Sequence, residues 1–528
     1  MIKKVLLIDS QKVIFLIAAY LTLFANFLFF RKLYDFAALE GNHPVIITAP
    51  FVLFLLLILV LNMVLLITHR YSFKAILFVL IAVSGLSSYF MNTFSTIIDK
   101  DMITNVFQTD SAEAFDLITF KLLVYLVLFC LLPILFLAKH KIEYKNYQSE
   151  ILNKILMIFI TLLITAASYM LLSKNYSSFF RNHNELRCYL NPSYPVYSFA
   201  KYLKREFQAP KIIKPIADDA HIKQTKKKKL FVFVVGETAR AENFSLNGYD
   251  HETNPLLEAQ NEIVNLPKFY SCGTATATSL PCLFSKFARS DYDDDKKYYE
   301  NLVDVLNKTG IKVIWRDNNS GRSKGVADRT KDVKYFGGDN YDEVMLQDLQ
   351  QSVDSSYEDT FIVLHQEGSH GPTYYKRYPD RFKKFKPTCD TQDLEKCTQE
   401  EIINTYDNTI LYTDYFLNET IKFLQNNDGK YETFMMYASD HGESLGENGI
   451  YLHGMPYMLA PEHQKHIPAV FYFGKSMQAK REMLEASKAK EYSHDNIFHT
   501  LLGLFGVSTK EYDENLDLFY TKKISQKV

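Results

Sequence analysis

The hydrophobic pattern divides the chain into two unlike parts. Over the first third, apolar residues run almost unbroken through Val13–Phe30, Pro44–Ile67, Lys74–Met91, Leu117–Ala138 and Lys154–Ser173. Each stretch is roughly 18 to 24 residues, enough to cross a hydrocarbon core of about 30 Å as a helix. One such stretch would also suit a buried helix of a soluble domain. Five in succession predict a transmembrane domain of five helices over residues 1–173. The opening Met1-Ile2-Lys3-Lys4 before an apolar run also suits a signal peptide. Arg31 and Lys32 follow Phe30 with no small-residue cleavage site, so the first helix reads as an uncleaved anchor.

Residues 174–229 form a polar linker broken by Pro192, Pro195, Pro210 and Pro215. Within it, Val196–Phe207 places Val196, Phe199, Leu203 and Phe207 near one helical face. That helix suits either the membrane interface or a dock on the soluble domain. Lys226–Lys229 is a basic run, a solvated face that anionic headgroups would attract. From residue 230 the pattern changes to short apolar strands alternating with helical stretches: Leu230–Val235, Ile311–Trp315, Phe361–Leu364, Thr433–Ala438 and Ala469–Phe473. Near-continuous apolar strands between helices predict a buried, largely parallel sheet and an α/β domain over 230–528. Sites in such sheets gather beyond the carboxyl ends of the strands.

Composition adds less than the pattern does. The 528 residues are 48% hydrophobic and 23% charged with a net charge of −1, which excludes a disordered chain and gives no basic excess for binding nucleic acid. A mean hydropathy of −0.11 merely averages the two parts. The distribution of charge is more informative. Lys3, Lys4 and Lys12, then Arg70, then Lys139, Lys141 and Lys145 fall on one side of the five spans. Asp99, Asp101, Asp110, Glu113 and Asp116 crowd the loop on the other side against Lys100 alone. Arg31 and Lys32 count the opposite way. The majority places the N-terminus in the cytoplasm and everything after Ser173 outside, in the periplasm of a Gram-negative cell.

Candidate chemistry sits where the strands end. Gly236-Glu237-Thr238 follows the first strand and Ser439-Asp440-His441-Gly442-Glu443 the fourth. His365 and Ser369-His370-Gly371-Pro372 follow the third, with Leu452-His453-Gly454 further on. Singly, Glu237 suits a helix cap and any one histidine a satisfied polar residue. Together they make a carboxylate–imidazole set suited to Zn²⁺. Ser271–Cys282, rich in small and hydroxyl residues, precedes the apolar Leu283–Phe287 and predicts a helix N-terminus, which favours negative charge. A plain Ser/Thr-rich loop with a cap fits the same residues. A threonine hydroxyl there is a weak nucleophile unless a metal or base activates it. Of six cysteines, Cys272 and Cys282 bracket this segment and Cys389 and Cys397 a polar loop. Four cysteines allow three connectivities, and the two local pairs are the simplest in an oxidising compartment. Cys130 lies within a span as a packed thiol, and Cys188 is external with no obvious partner.

The blocks VVGETARAENFSLNGYDHETNP (Val234–Pro255), CGTATATSLPC (Cys272–Cys282), HQEGSHGPTYYKRYP (His365–Pro379) and SDHGESLGENGIYLHGMPY (Ser439–Tyr457) resemble those of the membrane-bound phosphoethanolamine transferases of Gram-negative bacteria. That family includes lipid A-modifying enzymes of polymyxin resistance, and the resemblance covers nearly the whole chain. It implies a soluble domain of the alkaline phosphatase/sulfatase type. It implies Thr276 as nucleophile and one Zn²⁺ bound by Glu237, Thr276, Asp440 and His441. His370 and His453 would hold the phosphate or a second, weaker zinc, with His365 behind them. Asp317–Gly325 resembles the family's substrate loop, with Ser320 and Ser323 in it and Lys324 facing phosphate. Many relatives carry a third cysteine pair around this loop; none lies between Cys282 and Cys389. Asn105, Thr109 and Glu113 match the family's external loop near the lipid headgroup.

The implied reaction moves phosphoethanolamine from phosphatidylethanolamine onto Thr276, releasing diacylglycerol, and then onto an acceptor, lipid A or another outer-leaflet molecule. The resemblance further implies a monomer, multi-pass in the inner membrane, with its catalytic domain in the periplasm. The alternatives are a phosphoglycerol transferase or lipid phosphodiesterase of the same fold, or a non-catalytic membrane scaffold. Six intact candidate residues, Glu237, Thr276, His370, Asp440, His441 and His453, argue against the scaffold.

Overall fold

The computed structural model describes residues 7–66, 72–108, 114, 117–207, 212–222, 227–293, 295–337, 340–355 and 357–520. They fall into two compact units, Met1–Ile103 with Ile118–Phe207, and Thr104–Leu117 with Gln208–Val528. The helices of the N-terminal part are α1 (Ser10–Phe24), α2 (Phe27–Leu39), α3 (His43–Leu66), α4 (Phe73–Phe94), α5 (Lys100–Gln108), α6 (Phe120–Lys139), α7 (Tyr147–Asn182) and α8 (Ser193–Glu206). Among the described residues, α3, α4, α6 and the Tyr147–Ser173 part of α7 are each long and apolar enough to cross a membrane. Helices α1 and α2 pass that test only as a pair, bent by 56°, and make the fifth span if the pair counts as one.

The straight helix expected over Val13–Phe30 is thus broken, and Asn26 is the reason. Its Nδ2 donates to the carbonyls of Leu21 at 2.9 Å and Asn191 at 2.6 Å, and its Oδ1 accepts from the Asn191 amide at 2.9 Å. Asn191 Nδ2 in turn reaches the carbonyls of Ala25 and Ser84. Both asparagines are buried. No water in a hydrocarbon core can replace a lost backbone bond, so a break there requires internal partners of this kind.

Helix α7 does not stop at Ser173 but runs on to Asn182, 36 residues in all. At 1.5 Å per residue its length is about 54 Å, well beyond a hydrocarbon core of about 30 Å. The amphipathic segment expected at Val196–Phe207 is helix α8, which groups with the membrane helices. Cys188, expected on the outer side with no obvious partner, forms no disulfide and is buried in a 3₁₀ turn over Asn184–Tyr189.

The second unit is built on seven strands: β1 (Lys229–Gly236), β2 (Ile263–Asn265), β3 (Lys312–Asp317), β4 (Asp332–Tyr335), β5 (Thr360–His365), β6 (Glu432–Ser439) and β7 (Ala469–Phe473), in the order β2-β7-β6-β1-β5-β3-β4. From β6 to β4 all pairings are parallel; β7 runs antiparallel to both its neighbours. The five strands read from the sequence are all present. Their apolar runs are continuous because both faces of the sheet are covered. On β1, Phe231, Phe233 and Val235 enter one core, while Leu230, Val232 and Val234 enter the other. Trp315 on β3, fully buried, packs into the first core against Phe284.

The long helix α10 (Gln399–Asn427) packs against the second core and opens with a capping box between Thr398 and Glu401. On its buried side Asp414 accepts the amides of Leu256 and Leu257, both at 2.9 Å. Burial is the larger influence and raises its carboxyl from 3.8 to about 7, against those amide bonds. The folded state therefore holds this proton more tightly than the unfolded chain does. The associated stability is complete below pH ~4 and is lost as pH rises through about 7. In thermal melts from pH 4 to 8, Asp414→Asn is expected to gain on the wild type steadily as pH rises; a constant difference would refute this.

Candidate active site

Three of the candidate ligands stand one or two residues past a central strand. Glu237 ends β1's extension, and Asp440 and His441 follow β6. The Asp440 amide bonds to the Gly236 carbonyl at 2.8 Å and fixes the two strand ends side by side. The turn after Glu237 is held open by Thr238, whose φ of 53° is left-handed and unfavourable for a β-branched residue. Tyr406 of α10 straps this turn, donating to the Thr238 carbonyl at 2.7 Å and accepting from the Arg240 amide at 3.0 Å. Gly368, at φ +56°, packs against the same turn; a Cβ there would stand 2.7 Å from the Glu237 carbonyl oxygen. At Gly442 a Cβ would run into the backbone carbonyl of His463.

The predicted helix N-terminus exists, and it begins at Thr276 itself. Helix α9 spans Thr276–Leu283, so Leu283 is its last residue and residues 284–287 lie beyond it. No side chain caps it, and Ala275 leads in with extended backbone. A disulfide joins Cys272 to Cys282 across this helix, with Cα atoms 6.1 Å apart, and Cys389 is bonded to Cys397. The Ser279 hydroxyl donates to the Asp440 carbonyl, tying the helix to the end of β6.

These elements bring Thr276, Glu237, Asp440 and His441 together. Thr276 Oγ1 lies 3.2 and 3.1 Å from the two Glu237 oxygens and 3.4 Å from His441 Nε2. His441 Nε2 lies 3.4 Å from Glu237 Oε1 and 3.3 Å from Asp440 Oδ2. His441 Nδ1 donates to the Gly442 carbonyl at 2.9 Å, which leaves Nε2 as the basic nitrogen facing the carboxylates. Burial holds this imidazole down to about 4, so it is neutral. Burial, then the Asp440 carboxylate, pushes the Glu237 carboxyl well above its ordinary range.

The donor set fits a cation. One ligand atom each from Glu237, Asp440 and His441 lie within 4.8 Å of one another, as do those of Glu237, His370 and His453. Asp440 Oδ2 is buried without a hydrogen-bond partner among the described residues, while Oδ1 accepts from the amides of His441 and Thr238. Two buried carboxylates beside a neutral imidazole need a positive charge, and O,O,N donors at this spacing suit Zn²⁺. A third grouping, Glu242, Glu447 and His463, already has its charge answered by Arg240, 2.7 Å from Glu447.

The other candidates are placed unequally. The rings of His441 and His453 are 4.4 Å apart and those of His370 and His453 5.4 Å. Lys324 folds over Gly321, where a Cβ would stand 2.7 Å from its Nζ and 2.9 Å from Asn319 Oδ1. The Ser320 amide donates to Glu367 at 2.9 Å. Ser323 is buried and turns its hydroxyl to Tyr335, 3.3 Å away, rather than to the threonine. His365, fully buried, sits with Nδ1 3.2 Å from Asp317 and is outside both ligand groups. Asn105 lies on α5; Thr109 and Glu113 lie outside the described residues.

Three further residues belong to the site. Asn319 Nδ2 donates to Glu237 Oε2 at 2.9 Å and to the Gln366 carbonyl at 3.1 Å, fixing the carboxylate's rotation. Glu443 accepts from His453 Nδ1 at 2.7 Å and from the Tyr374 hydroxyl at 2.5 Å, which orients the His453 ring. Asn319 falls within the loop from Asp317 and Glu443 within the block from Ser439, but nothing in the sequence marks their contacts. Tyr374 carries no signal beyond its proximity to His370.

A threonine at a helix start, facing acidic and imidazole groups on the carboxyl side of a mostly parallel sheet, defines a protein of the alkaline phosphatase and sulfatase class. The sulfatase family model matches residues 229–507. Residues 53–207 match the family model described as phosphoethanolamine transferase EptA/EptB. The chain is 37% identical over 538 residues to phosphoethanolamine transferase EptA of Escherichia coli (strain K12), covering 97% of each. Its structure superposes on the integral membrane lipooligosaccharide phosphoethanolamine transferase A of Neisseria meningitidis with a TM-score of 0.92 at 35% identity, over 97% of this chain and 99% of that one. The periplasmic domain of EptC from Campylobacter jejuni is 50% identical over 59% of this chain and 98% of its own, with a TM-score of 0.56. The chain belongs to the phosphoethanolamine transferase family. It is a multi-pass membrane protein with a soluble C-terminal domain.

Proposed function

We propose that this protein takes phosphoethanolamine from phosphatidylethanolamine and gives it to lipid A or lipooligosaccharide, through a covalent adduct on Thr276. The observation that carries this reading is the Thr276 hydroxyl, half-buried at the start of α9 and within 3.4 Å of Glu237 and His441. The acceptor class rests on relatives: the N. meningitidis enzyme is a lipooligosaccharide phosphoethanolamine transferase, and an E. coli relative 25% identical over 564 residues is a Kdo(2)-lipid A phosphoethanolamine 7''-transferase. Residues 1–173 anchor the enzyme among its lipids, and 230–528 carry the chemistry on the periplasmic side of the inner membrane.

In the first displacement a bond forms between Thr276 Oγ1 and phosphorus, and the bond from phosphorus to the glyceryl oxygen breaks. The Thr276 proton leaves on the side of Glu237, and a proton returns to the departing diacylglycerol oxygen. Asn319 keeps the Glu237 carboxylate turned toward Thr276. His453, whose Nδ1 is committed to Glu443, presents Nε2 for moving a proton to the leaving oxygen and later from the acceptor. In the second displacement an acceptor oxygen bonds to phosphorus and Thr276 Oγ1 is released. A zinc ion held by Glu237, Asp440 and His441 would supply Lewis-acid charge, favouring the deprotonated hydroxyl and neutralising the phosphoryl oxygens.

The test is mass spectrometry of the Thr276 peptide after the zinc-loaded full chain meets phosphatidylethanolamine with no acceptor, with diacylglycerol followed in the same tube. A phosphoethanolamine adduct on Thr276 matched by diacylglycerol is expected. An adduct from a glycerophosphate donor instead would reassign the headgroup, and neither product would end the reading.

A further inference from the structure

A second site lies within the catalytic unit, on the other side of the nucleophile helix. Lys214 pairs with the segment after the acidic turn: its amide donates to the Tyr298 carbonyl at 2.7 Å, and its carbonyl accepts from the Glu300 amide at 3.0 Å. Beside this pairing is a cavity of about 230 Å³ whose walls include Pro281 of α9, Lys296, Lys297, Tyr298, Tyr299 and Lys324; Lys214 is outside the lining and reaches it through Tyr299. Pro281 is five residues past Thr276, which sets the cavity roughly 7–8 Å along the helix axis from the nucleophile.

Cations gather here around one ring. Lys214 Nζ donates to the Tyr299 hydroxyl at 3.3 Å and lies 4.8 Å from its ring centroid. The ammonium groups of Lys286 and Lys296 each lie 6.0 Å from the same centroid and 5.0 Å from the Phe287 ring, which packs edge-on against Tyr299. Lys286 is answered by Glu511 at 2.6 Å. Among the described residues, neither Lys214 nor Lys296 is paired with a carboxylate. The acidic groups nearby are largely committed. Glu300 is taken by Lys308 and the Ile216 amide, and Asp304 outside the cavity neutralises Arg329. Asp293 accepts the amides of Asp295 and Lys296, and Asp328 is the remaining carboxylate in the wall. Ammonium groups this close repel one another, and contacts with ring faces offset only part of that cost. A bound anion would offset the rest.

We propose that this pocket is an acceptor subsite that holds a phosphate, or an equivalent anionic group, on a sugar of the acceptor while a neighbouring oxygen of the same molecule reaches Thr276. The inference rests on the transfer reading above. One feature selects an acceptor over a bystander anion: the wall contains Lys324 of the loop that reaches Glu237 through Asn319.

The experiment uses the full chain in detergent with zinc, comparing wild type, Lys214→Glu/Lys296→Glu and Lys214→Arg/Lys296→Arg. The charge reversal is expected to raise the KM for lipid A about tenfold, as fits the loss of a charge-assisted contact. It should leave kcat and acceptor-free diacylglycerol release within about twofold, while the arginine pair stays near wild type. Should the reversal fail to fold, Lys296→Ala with an expected KM rise of about threefold replaces it. An unchanged KM in a variant that melts like wild type overturns the proposal. So does a variant that loses binding to phosphatidylglycerol vesicles while its KM in detergent is unchanged, since the pocket would then read the bilayer. Binding of glucosamine 6-phosphate, followed by its phosphorus resonance in wild type and the reversal, decides the subsite separately. If no diacylglycerol is released by the wild type, the transfer reading fails, and a sugar phosphate held by wild type and lost in the reversal still supports the pocket.

Discussion

Thr276→Ala is expected to remove transfer almost completely while leaving a folded protein that still binds zinc. Among the described residues, the Thr276 hydroxyl is the group placed to form a covalent link at the start of α9, within reach of both Glu237 and His441. Losing a covalent nucleophile costs at least ~10³-fold in rate, or about 4 kcal/mol of barrier, because the acceptor must then attack the donor's phosphorus directly, with no covalent step to divide the reaction. The structural cost is smaller. Thr276 is half-buried, and its hydrogen bond to Glu237 is worth about 1 kcal/mol. Thr276→Ser keeps the oxygen and is expected to retain measurable transfer. The check is diacylglycerol release and headgroup transfer measured on all three proteins at equal zinc content. Transfer by Thr276→Ala within tenfold of wild type would mean that the group passes straight from donor to acceptor.

Asp440→Asn is expected to lose the metal as well as the activity, and so to differ in kind from Thr276→Ala. Oδ1 of Asp440 already accepts two backbone amides, whereas the buried Oδ2 has no hydrogen-bond partner among the described residues and is available to an ion. Replacing that oxygen by an amide nitrogen removes a ligand and turns N–H donors toward the cation's position. Loss of a direct ligand exceeds the roughly 10–100-fold drop in affinity that follows loss of a supporting partner. Saturating zinc at about 100 times its dissociation constant stabilises the folded state by about 2.7 kcal/mol. Chelation should therefore lower the Tm of wild type and of Thr276→Ala by several degrees, with zinc restoring it, and should leave Asp440→Asn unmoved. An Asp440→Asn protein that still responds to zinc would place the ion elsewhere, with the Glu237, His370 and His453 group as the next position to examine.

What the sequence by itself determined is whatever depends on neighbours along the chain. Five apolar runs mark the membrane part because a span must satisfy its own backbone over about 20 residues. The strands from Leu230 to Phe473 are legible because a sheet covered on both faces is apolar at every position. Glu237, Asp440 and His441 are legible because they follow directly on such strands, whose carboxyl ends are where sites form. Thr276 needed only its hydroxyl-rich segment and the resemblance of its block.

The tertiary structure decided what depends on partners far away in the chain. The bend at Asn26 exists because Asn191, 165 residues later, answers its side chain. Asn319 becomes part of the site only because β3 lies two places from β1 and carries its loop to Glu237, 82 residues back. His453 acquires its orientation from Glu443, itself held by Tyr374 across 69 residues. Ser323 looks in sequence like a companion of Lys324, yet it turns away to Tyr335 because the left-handed residues on either side of it, Arg322 and Lys324, reverse the backbone there. The ring of lysines at Tyr299 has no counterpart in any sequence motif, since Lys214 reaches it through one backbone pairing across 85 residues. Local pattern records which face is apolar and which residues have suitable chemistry; hydrogen bonds and Coulomb interactions act over a few ångströms, and only the folded chain decides which of those residues stand that close.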